Sequence, residues 1–213
     1  MIKIFLLSLT AILSFSAQAQ RVIESSLPQS ISTTARYVFY SHGYIVEGDN
    51  ATPQHPRWGV YDFPAVKQAL SSEDHVLIAA HRKKDTPPFE YAKELASQVN
   101  TLIENGVPAS NIYLVGFSRG GFITAITSSL LKNDALNFVI LAACTSGLAK
   151  HPDVVLHGRV LSIYETSDTV GSCDEVVSRS GTNVVSFKEL TISTGKEHGA
   201  FYRPIEVWVS PRL

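Results

Sequence analysis

The amino-acid sequence predicts an α/β fold, a three-layer sandwich with a mainly parallel central sheet of about six strands. Two observations support this fold class. Short apolar runs rich in strand-forming residues alternate along the chain with longer segments of helical pattern. The strand segments are continuous apolar runs, which is typical of parallel strands that helices cover on both faces.

The N-terminal half of the chain supplies the first strands. A short edge strand is expected at 21–23, and 37–41 is predicted as a buried strand because it is apolar and rich in aromatic residues. Glycines and prolines recur in 43–57, which predicts a long loop. A helix is expected over 60–70, and the apolar run at 76–80 is predicted as the second buried strand.

The middle of the chain contains the clearest helix. Apolar residues recur there at three- and four-residue spacing, and Asn105-Gly106 ends the pattern. This helix is predicted over 89–104, and it is followed by a strand at 112–115 and a helix that ends near residue 131. The remaining elements are predicted as strands at 137–142, 160–164 and 184–190 and a last helix at 200–209.

The N-terminus indicates a secreted protein. A basic start at Lys3 precedes a short apolar run, and the small residues Ala17 and Ala19 fit an A-x-A cleavage site. We therefore expect a secretory signal peptide at 1–19, cleaved after Ala19, and a single alpha/beta domain over 20–213. The mature protein would then work in the periplasm or outside the cell, and an uncleaved anchor is the alternative.

Charge and motif content argue against several kinds of partner. Without the predicted signal peptide, 17 basic and 19 acidic residues remain, and no basic stripe that would bind a nucleic acid is present. No second apolar run approaches membrane length, so we expect no membrane anchor after cleavage. The sequence has no C-x-x-C pair, H-E-x-x-H motif or phosphate-binding glycine loop. We therefore predict no metal and no cofactor.

The most informative motif is Gly116-Phe117-Ser118-Arg119-Gly120, which fits G-x-S-x-G and lies between a predicted strand and a predicted helix. This pattern mounts a nucleophilic serine on a strained turn. A Cβ atom at either glycine would collide with the neighbouring strand or helix, which explains why both positions lack a side chain. A glycine-rich turn that carries an ordinary serine is the alternative that the motif alone leaves open.

Candidate partners for Ser118 follow the last two predicted strands. Asp168 comes after the first of these strands, and His198 comes after the second. Because functional residues of parallel sheets gather at the carboxyl ends of the strands, we expect the three side chains to meet there. An imidazole can take the serine proton, and a carboxylate can hold the imidazole in the right tautomer. Glu165 is the competing acid, whereas His198 is the one histidine that follows Asp168.

An oxyanion hole would require hydrogen-bond donors beside Ser118. The backbone N–H of Arg119, directly after the serine, is the first candidate. The loop after the first buried strand supplies the second candidate, because Gly43 allows close backbone approach and the N–H of Tyr44 would be the donor. A simple turn at His42-Gly43 is the alternative.

In this combination of motifs the chain resembles a small member of the alpha/beta-hydrolase superfamily. Four features carry the resemblance over roughly residues 36–208, in the order that this family requires: the loop at 42–44, the turn at 116–120, Asp168 and His198. The resemblance implies a mainly parallel sheet and a catalytic triad of Ser118, His198 and Asp168. It also implies an oxyanion hole formed by the backbone N–H groups of Tyr44 and Arg119.

The resemblance further predicts a disulfide bond and an open site. The last strands of the sheet would be neighbours in sequence order, so Cys144 and Cys173, which follow two of them, would lie at the same edge. An even cysteine count in an oxidising compartment favours the same pairing, and two separate thiols are the alternative. The segment 144–158, where larger members commonly insert a helical lid, is short. We therefore expect no substantial lid.

Side chains near the expected site have two interpretations. Several aromatic residues would either line an acyl or alcohol pocket or pack in the core, with core packing the simpler expectation for each. They are Tyr44, Trp58, Tyr61, Phe89 and Phe201. The charged segment 81–85 would either receive an anionic substrate or form a solvated face, and the solvated face is the simpler expectation.

Together these residues predict a secreted serine hydrolase that cleaves carboxylic esters or related acyl bonds of small molecules through an acyl-enzyme. Ser118 would attack, His198 would carry the proton, and Asp168 would orient the imidazole. Peptidase or thioesterase activity would use the same triad, because bond preference depends on the pocket. A non-catalytic binding module on a hydrolase scaffold is the alternative from another class.

Overall fold

A computed structural model describes residues 21–144 and 146–209. The strands are β1 (Val22–Glu24), β2 (Arg36–Ser41), β3 (Gln54–His55), β4 (Gly59–Val60), β5 (His75–Ile78), β6 (Ile112–Phe117), β7 (Asn137–Leu141), β8 (Gly158–Glu165) and β9 (Val184–Ile192). The helices are α1 (Phe63–Leu70), α2 (Pro88–Glu104), α3 (Arg119–Leu131), α4 (Ser146–Ala149), α5 (Asp174–Ser180) and α6 (Glu206–Val209). The predicted signal peptide at 1–19 lies outside the described residues.

One parallel sheet organises the part of the chain that the structure describes. Its strands lie in the order β1-β5-β2-β6-β7-β8-β9, and every neighbouring pair is parallel. The predicted α/β fold with a mainly parallel sheet is confirmed, and the short edge strand β1 is the seventh strand beside the six others. β3 and β4 form a separate antiparallel hairpin. Because the seven strands run in one direction, their carboxyl ends share one edge, where functional residues gather.

Both faces of the sheet are covered, which explains the continuous apolar runs. Successive residues of β6 point to opposite sides, so Leu114 joins one buried cluster while Val115 and Phe117 join the other. The first cluster includes the apolar side of α2, such as Leu95 and Val99. This double cover is the three-layer arrangement that the sequence predicts.

Two helix predictions differ from the structure, and two short helices, α4 and α5, were not predicted. The last helix is not continuous over 200–209: a 3₁₀ turn at Glu197–Phe201 and α6 are separated at Pro204, which has no N–H and restricts the residue before it. α5 was not predicted, because it is short and buries only Val176 and Ser180. α1 begins later than residue 60, since the Asp62 side chain accepts the Ala65 N–H at 2.9 Å and caps the helix there.

Cys144 and Cys173 form a disulfide bond with their Cα atoms 4.9 Å apart, as predicted. The cysteines follow β7 and β8, which are neighbours in the sheet. In the described residues between these two strands, α4 is the only helix, so this segment carries no large lid. No helix within the described ranges has the length and apolar character to cross a membrane.

Candidate active site

Ser118 lies on the turn between β6 and α3, in a backbone conformation that side chains rarely adopt. Its φ and ψ are 54° and −118°, outside the ordinary regions for a residue with a Cβ. The neighbouring glycines make this turn possible. A Cβ atom on Gly116 would overlap the carbonyl oxygen of Gly120, and one on Gly120 would overlap the carbonyl oxygen of Ser41. The turn therefore holds the serine hydroxyl at the carboxyl end of the sheet.

The side chain of His198 lies between Ser118 and Asp168. Its Nε2 is 2.8 Å from Ser118 Oγ, and its Nδ1 is 2.6 Å from Asp168 Oδ2. An ionised carboxylate can only accept a hydrogen bond, so Nδ1 carries the proton and Nε2 accepts the serine O–H. The Asp168 side chain is 4% exposed and that of His198 is 11% exposed, which keeps water from competing for these bonds. This geometry allows the imidazole to remove the serine proton.

Glu165, the competing acid in the sequence, is bound elsewhere. It is fully buried, and its carboxylate accepts backbone N–H bonds from Ser167 at 2.7 Å, Thr194 at 2.8 Å and Gly195 at 2.9 Å. Burial raises the pKa of Glu165, but the hydrogen bonds, first that of the Ser167 hydroxyl, outweigh burial and lower the pKa to about 2. The charged Glu165 carboxylate therefore links the loop that carries Asp168 to the loop that carries His198.

The pairing of β2 with β6 brings the predicted oxyanion loop beside the serine. Ser41 lies opposite Gly116 in the parallel register, so the residues after β2 run next to the turn that carries Ser118. Tyr44 begins a 3₁₀ turn and Arg119 begins α3. N–H groups at the start of a helix have no partner within that helix. The backbone N–H groups of Tyr44 and Arg119 therefore remain the candidate oxyanion donors.

His42 fixes the peptide group that contains the Tyr44 N–H. The Arg82 backbone N–H donates to His42 Nε2 at 3.0 Å, so Nδ1 carries the proton and donates to the Gly43 carbonyl oxygen at 2.8 Å. That carbonyl and the Tyr44 N–H belong to one planar peptide, so holding the first sets the direction of the second. Burial and then the charge of Arg82 lower the pKa of His42 to about 2, although the bond to Gly43 opposes them. The imidazole is therefore neutral.

A buried ionic cluster supports the same loop. The prediction of a solvated face at 81–85 is wrong at Arg82, which is 3% exposed. Its Nε is 3.3 Å from Glu47 Oε1, and its guanidinium also donates to the His42 carbonyl oxygen. Arg119 Nε lies 3.3 Å from the same Glu47 oxygen. Sequence reasoning missed this cluster because its three members are distant along the chain.

A cavity of about 190 Å³ opens beside Ser118 and His198, and aromatic rings form most of its wall. Three of the five aromatic candidates named from the sequence line it: Tyr44, Trp58 and Tyr61. The side chains that sequence reasoning missed include the rings of His55 and Tyr202. Trp58 stacks on His55 with ring centroids 4.1 Å apart and lies 5.2 Å from the His198 ring.

The other two aromatic candidates lie away from this cavity; the expected core packing is confirmed for Phe201 and is wrong for Phe89, which is 37% exposed. Phe89 makes an edge contact with Phe122, with centroids 5.9 Å apart. Phe201 is fully buried and stacks on Phe117 at 5.3 Å.

A second cavity, of about 220 Å³, also borders Ser118. Small or aliphatic side chains form much of its wall. They are Ala142, Ala143, Gly147 and Val170, joined by Phe122 and Arg119. His198 does not line this second cavity.

The β3–β4 hairpin is tied to the segment that carries the imidazole. Glu197 accepts hydrogen bonds from Trp58 Nε1 at 3.0 Å and from Arg57 at 2.5 Å. These two bonds, that of Trp58 first, lower the pKa of Glu197. A Cβ atom on Gly199 would lie only 2.7 Å from Trp58 Cβ, so the hairpin and the His198 segment are in close contact.

This chain is similar to known proteins in structure but not detectably in sequence. The chain matches no protein-family model, and no curated protein matches its sequence. SOBER1 from Arabidopsis thaliana is 14% identical, with a TM-score of 0.55 over 82% of this chain and 97% of that chain. Est1E from Butyrivibrio proteoclasticus is 15% identical, with a TM-score of 0.53 over 79% and 81% of the two chains. A phospholipase/carboxylesterase from Dyadobacter fermentans is 12% identical, with a TM-score of 0.54 over 83% and 91%. These likenesses confirm the predicted resemblance at the level of fold.

Proposed function

Because the chain has the alpha/beta-hydrolase fold and its Ser118 is hydrogen-bonded to an imidazole, we propose that it is a serine hydrolase that cleaves carboxylic esters through an acyl-enzyme. The most direct support is the position of His198, within hydrogen-bond distance of both Ser118 Oγ and Asp168 Oδ2. Structures of the same fold carry the names arylesterase and phospholipase/carboxylesterase, which favours ester bonds as the substrates.

In the proposed reaction, Ser118 Oγ bonds to the ester carbonyl carbon while His198 Nε2 takes the hydroxyl proton. Asp168 holds the Nδ1 proton and stabilises the imidazolium. The carbonyl oxygen becomes an oxyanion, which accepts the backbone N–H bonds of Tyr44 and Arg119. The proton on Nε2 then passes to the alcohol oxygen as the carbon–oxygen bond breaks. Water, activated by the same imidazole, adds to the acyl-enzyme and releases the acid.

We also propose that the protein is exported and acts in the periplasm or outside the cell. The signal-like sequence at 1–19 and the Cys144–Cys173 disulfide support this location, because disulfides persist in oxidising compartments. Fractionation of expressing cells, followed by N-terminal sequencing of the exported protein, tests it. An unprocessed protein retained in the cytoplasm would contradict this part of the proposal.

Labelling with a fluorophosphonate tests the proposed nucleophile. The purified protein should gain one phosphonate, and peptide mapping should locate it on Ser118. Ser118→Ala should neither be labelled nor hydrolyse short-chain aryl esters. Ser97→Ala, which alters an exposed serine on α2, is the matched control and should behave like the parent protein.

The outcome also separates the proposal from its alternatives. If Ser118 is labelled but the protein hydrolyses thioesters or peptides and not esters, it is a serine hydrolase that acts on another acyl bond. A folded protein that is neither labelled nor active would favour a binding module and contradict the proposal.

A further inference from the structure

Ser118 is the one residue that lines both the aromatic cavity and the small aliphatic cavity. A carbonyl carbon bonded to its Oγ would therefore sit between two separate spaces. An ester has two substituents to place, the acyl chain and the alcohol. The two cavities provide one space for each.

The position of His198 determines which space receives the alcohol. The imidazole must deliver its proton to the departing oxygen, so the alcohol has to leave on the side of Nε2. His198 lines the aromatic cavity and does not line the aliphatic one. The chemistry therefore directs the alcohol towards the aromatic cavity and the acyl chain towards the aliphatic cavity.

The size and lining of the aromatic cavity suit a single ring. A cavity of about 150 Å³ with apolar walls is large enough to bind benzene. The cavity beside His198 measures about 190 Å³, and the rings of Tyr44, Trp58 and Tyr202 are among its walls. Aromatic pairs gain from offset or edge-to-face contact beyond the apolar area they bury. A flat aromatic group would make such contacts with several walls at once.

The aromatic walls are held in place before any ligand binds. Trp58 is stacked on His55 and hydrogen-bonded to Glu197. Tyr61 Oη lies 2.7 Å from Tyr40 Oη in the buried core. A ligand would therefore lose little free energy in ordering these rings.

A larger groove of about 510 Å³ does not compete for the ester. It lies beyond Trp58 and Tyr202, and neither Ser118 nor His198 lines it.

Building on the proposed function, we propose that the preferred substrates are esters of an aromatic alcohol with a short aliphatic acid. In the step concerned, Ser118 Oγ bonds to the acyl carbon, and the bond from that carbon to the alcohol oxygen breaks. The alcohol oxygen receives the proton from His198 Nε2, and the aromatic alcohol leaves through the cavity of Trp58 and Tyr44. The short acyl group stays on Ser118, next to Ala143 and Val170.

A set of acetate and methyl esters tests this assignment. Benzyl acetate and cyclohexylmethyl acetate differ in the aromaticity of the alcohol, while their leaving alcohols are similar in reactivity. We expect kcat/KM to be about tenfold higher for benzyl acetate, the gain expected from one or two aromatic contacts. Methyl phenylacetate carries the ring on the acyl side and should be the poorer substrate.

Three variants test which cavity receives each part of the ester. Trp58→Leu should remove most of the preference for benzyl over cyclohexylmethyl acetate. Tyr44→Leu removes an exposed ring from the same wall and should also reduce the preference for the benzyl ester. It provides the test if Trp58→Leu folds poorly. Val170→Phe narrows the aliphatic cavity and should lower kcat/KM for benzyl hexanoate more than for benzyl acetate.

The result that would overturn this inference differs from the one that would overturn the proposed function. Equal rates for the benzyl and cyclohexylmethyl esters, or a preference for methyl phenylacetate, would refute the assignment of the cavities while leaving a serine esterase. Absence of both Ser118 labelling and ester hydrolysis would refute both.

Discussion

Glu165 and Asp168 leave the end of β8 close together, but their carboxylates have different partners. Asp168 Oδ2 lies 2.6 Å from His198 Nδ1, whereas Glu165 accepts the backbone N–H groups of Thr194 and Gly195. The first carboxylate thus orients the imidazole directly. The second holds the loop that carries the imidazole against the loop that carries the acid.

This difference predicts a severe effect of Asp168→Asn on turnover. An asparagine amide would donate to Nδ1 and favour the wrong imidazole tautomer, so we expect kcat to fall by about 10⁴ with little change in fold. Steady-state kinetics on a short-chain aryl ester, with circular dichroism as the control for folding, checks it. A variant that retains a tenth of the parent kcat would argue against the role of Asp168.

Glu165→Gln should lower the free energy of unfolding clearly and kcat only slightly. The neutral amide loses charge-assisted hydrogen bonds to backbone groups, each worth about 1.5–3 kcal/mol. Urea unfolding should show a lower midpoint, and kcat should fall much less than in Asp168→Asn because the imidazole keeps its own carboxylate. A loss of activity as large as that of Asp168→Asn, with unchanged stability, would contradict this assignment.

Glu165 also predicts loss of stability in acid. Its pKa in the folded protein, about 2, lies below the value of about 4.3 expected in the unfolded chain. Its contribution to the free energy of unfolding is therefore fully present above about pH 4.3 and is lost as the pH falls towards 2. Urea midpoints measured from pH 5 to pH 2.5 should fall more steeply for the parent protein than for Glu165→Gln.

The neutral, buried His42 should make the stability of the protein depend on pH in a milder range than Glu165 does. The imidazole is neutral in the fold, with a pKa of about 2, but gains a proton in the unfolded chain below about pH 6.5. Stability should fall as the pH drops from 6.5, by at most about 1.4 kcal/mol per pH unit for this one proton. His42→Asn should be less stable at pH 8 and show a shallower slope between pH 6.5 and 4.5. Parallel slopes would contradict the assignment.

The same variant should slow the chemistry. Without the bond from His42 to the Gly43 carbonyl, the peptide that carries the Tyr44 N–H is free to turn away from the oxyanion. Complete loss of one such donor costs about 10²–10³ in kcat, so we expect a smaller decrease, with KM little changed. Steady-state assays at pH 8, above the range in which protonation of His42 affects stability, measure kcat and KM.

The disulfide should contribute to stability and not to the reaction. It closes a loop with a sequence separation of 29, for which the chain-entropy model gives about 3 to 4 kcal/mol. A Cys144→Ala/Cys173→Ala double variant should lose about this free energy of unfolding in urea. Its kcat at low temperature should remain within a few fold of the parent value.

Much of the fold could be predicted because burial on both faces leaves a direct pattern in the sequence. Strands such as β6 and β7 are short apolar runs between turn residues, and helix α2 has a clear apolar side. α5 left no such pattern, since only two of its residues are buried. The break before α6 follows from Pro204, whose effect an apolar pattern alone does not show.

The candidate site was predictable in its main residues and not in their supports. The glycine pattern around Ser118 and the order of the acid and the imidazole are local features of the sequence. The bond between His42 and Arg82 joins residues 40 positions apart, and Glu165 reaches Thr194 across 29 positions. Such contacts depend on the packing of separate loops. For the same reason Tyr202 and His55 could not be singled out among the aromatic and histidine residues.

The bonds from Trp58 to Glu197 and from Ser118 to His198 join an early hairpin, a central turn and a late segment. During synthesis, a nascent chain that already displays the serine hydroxyl still lacks the imidazole that would polarise it. The hydroxyl therefore gains its imidazole partner only after the late segment has been made and has packed against the hairpin and the central turn.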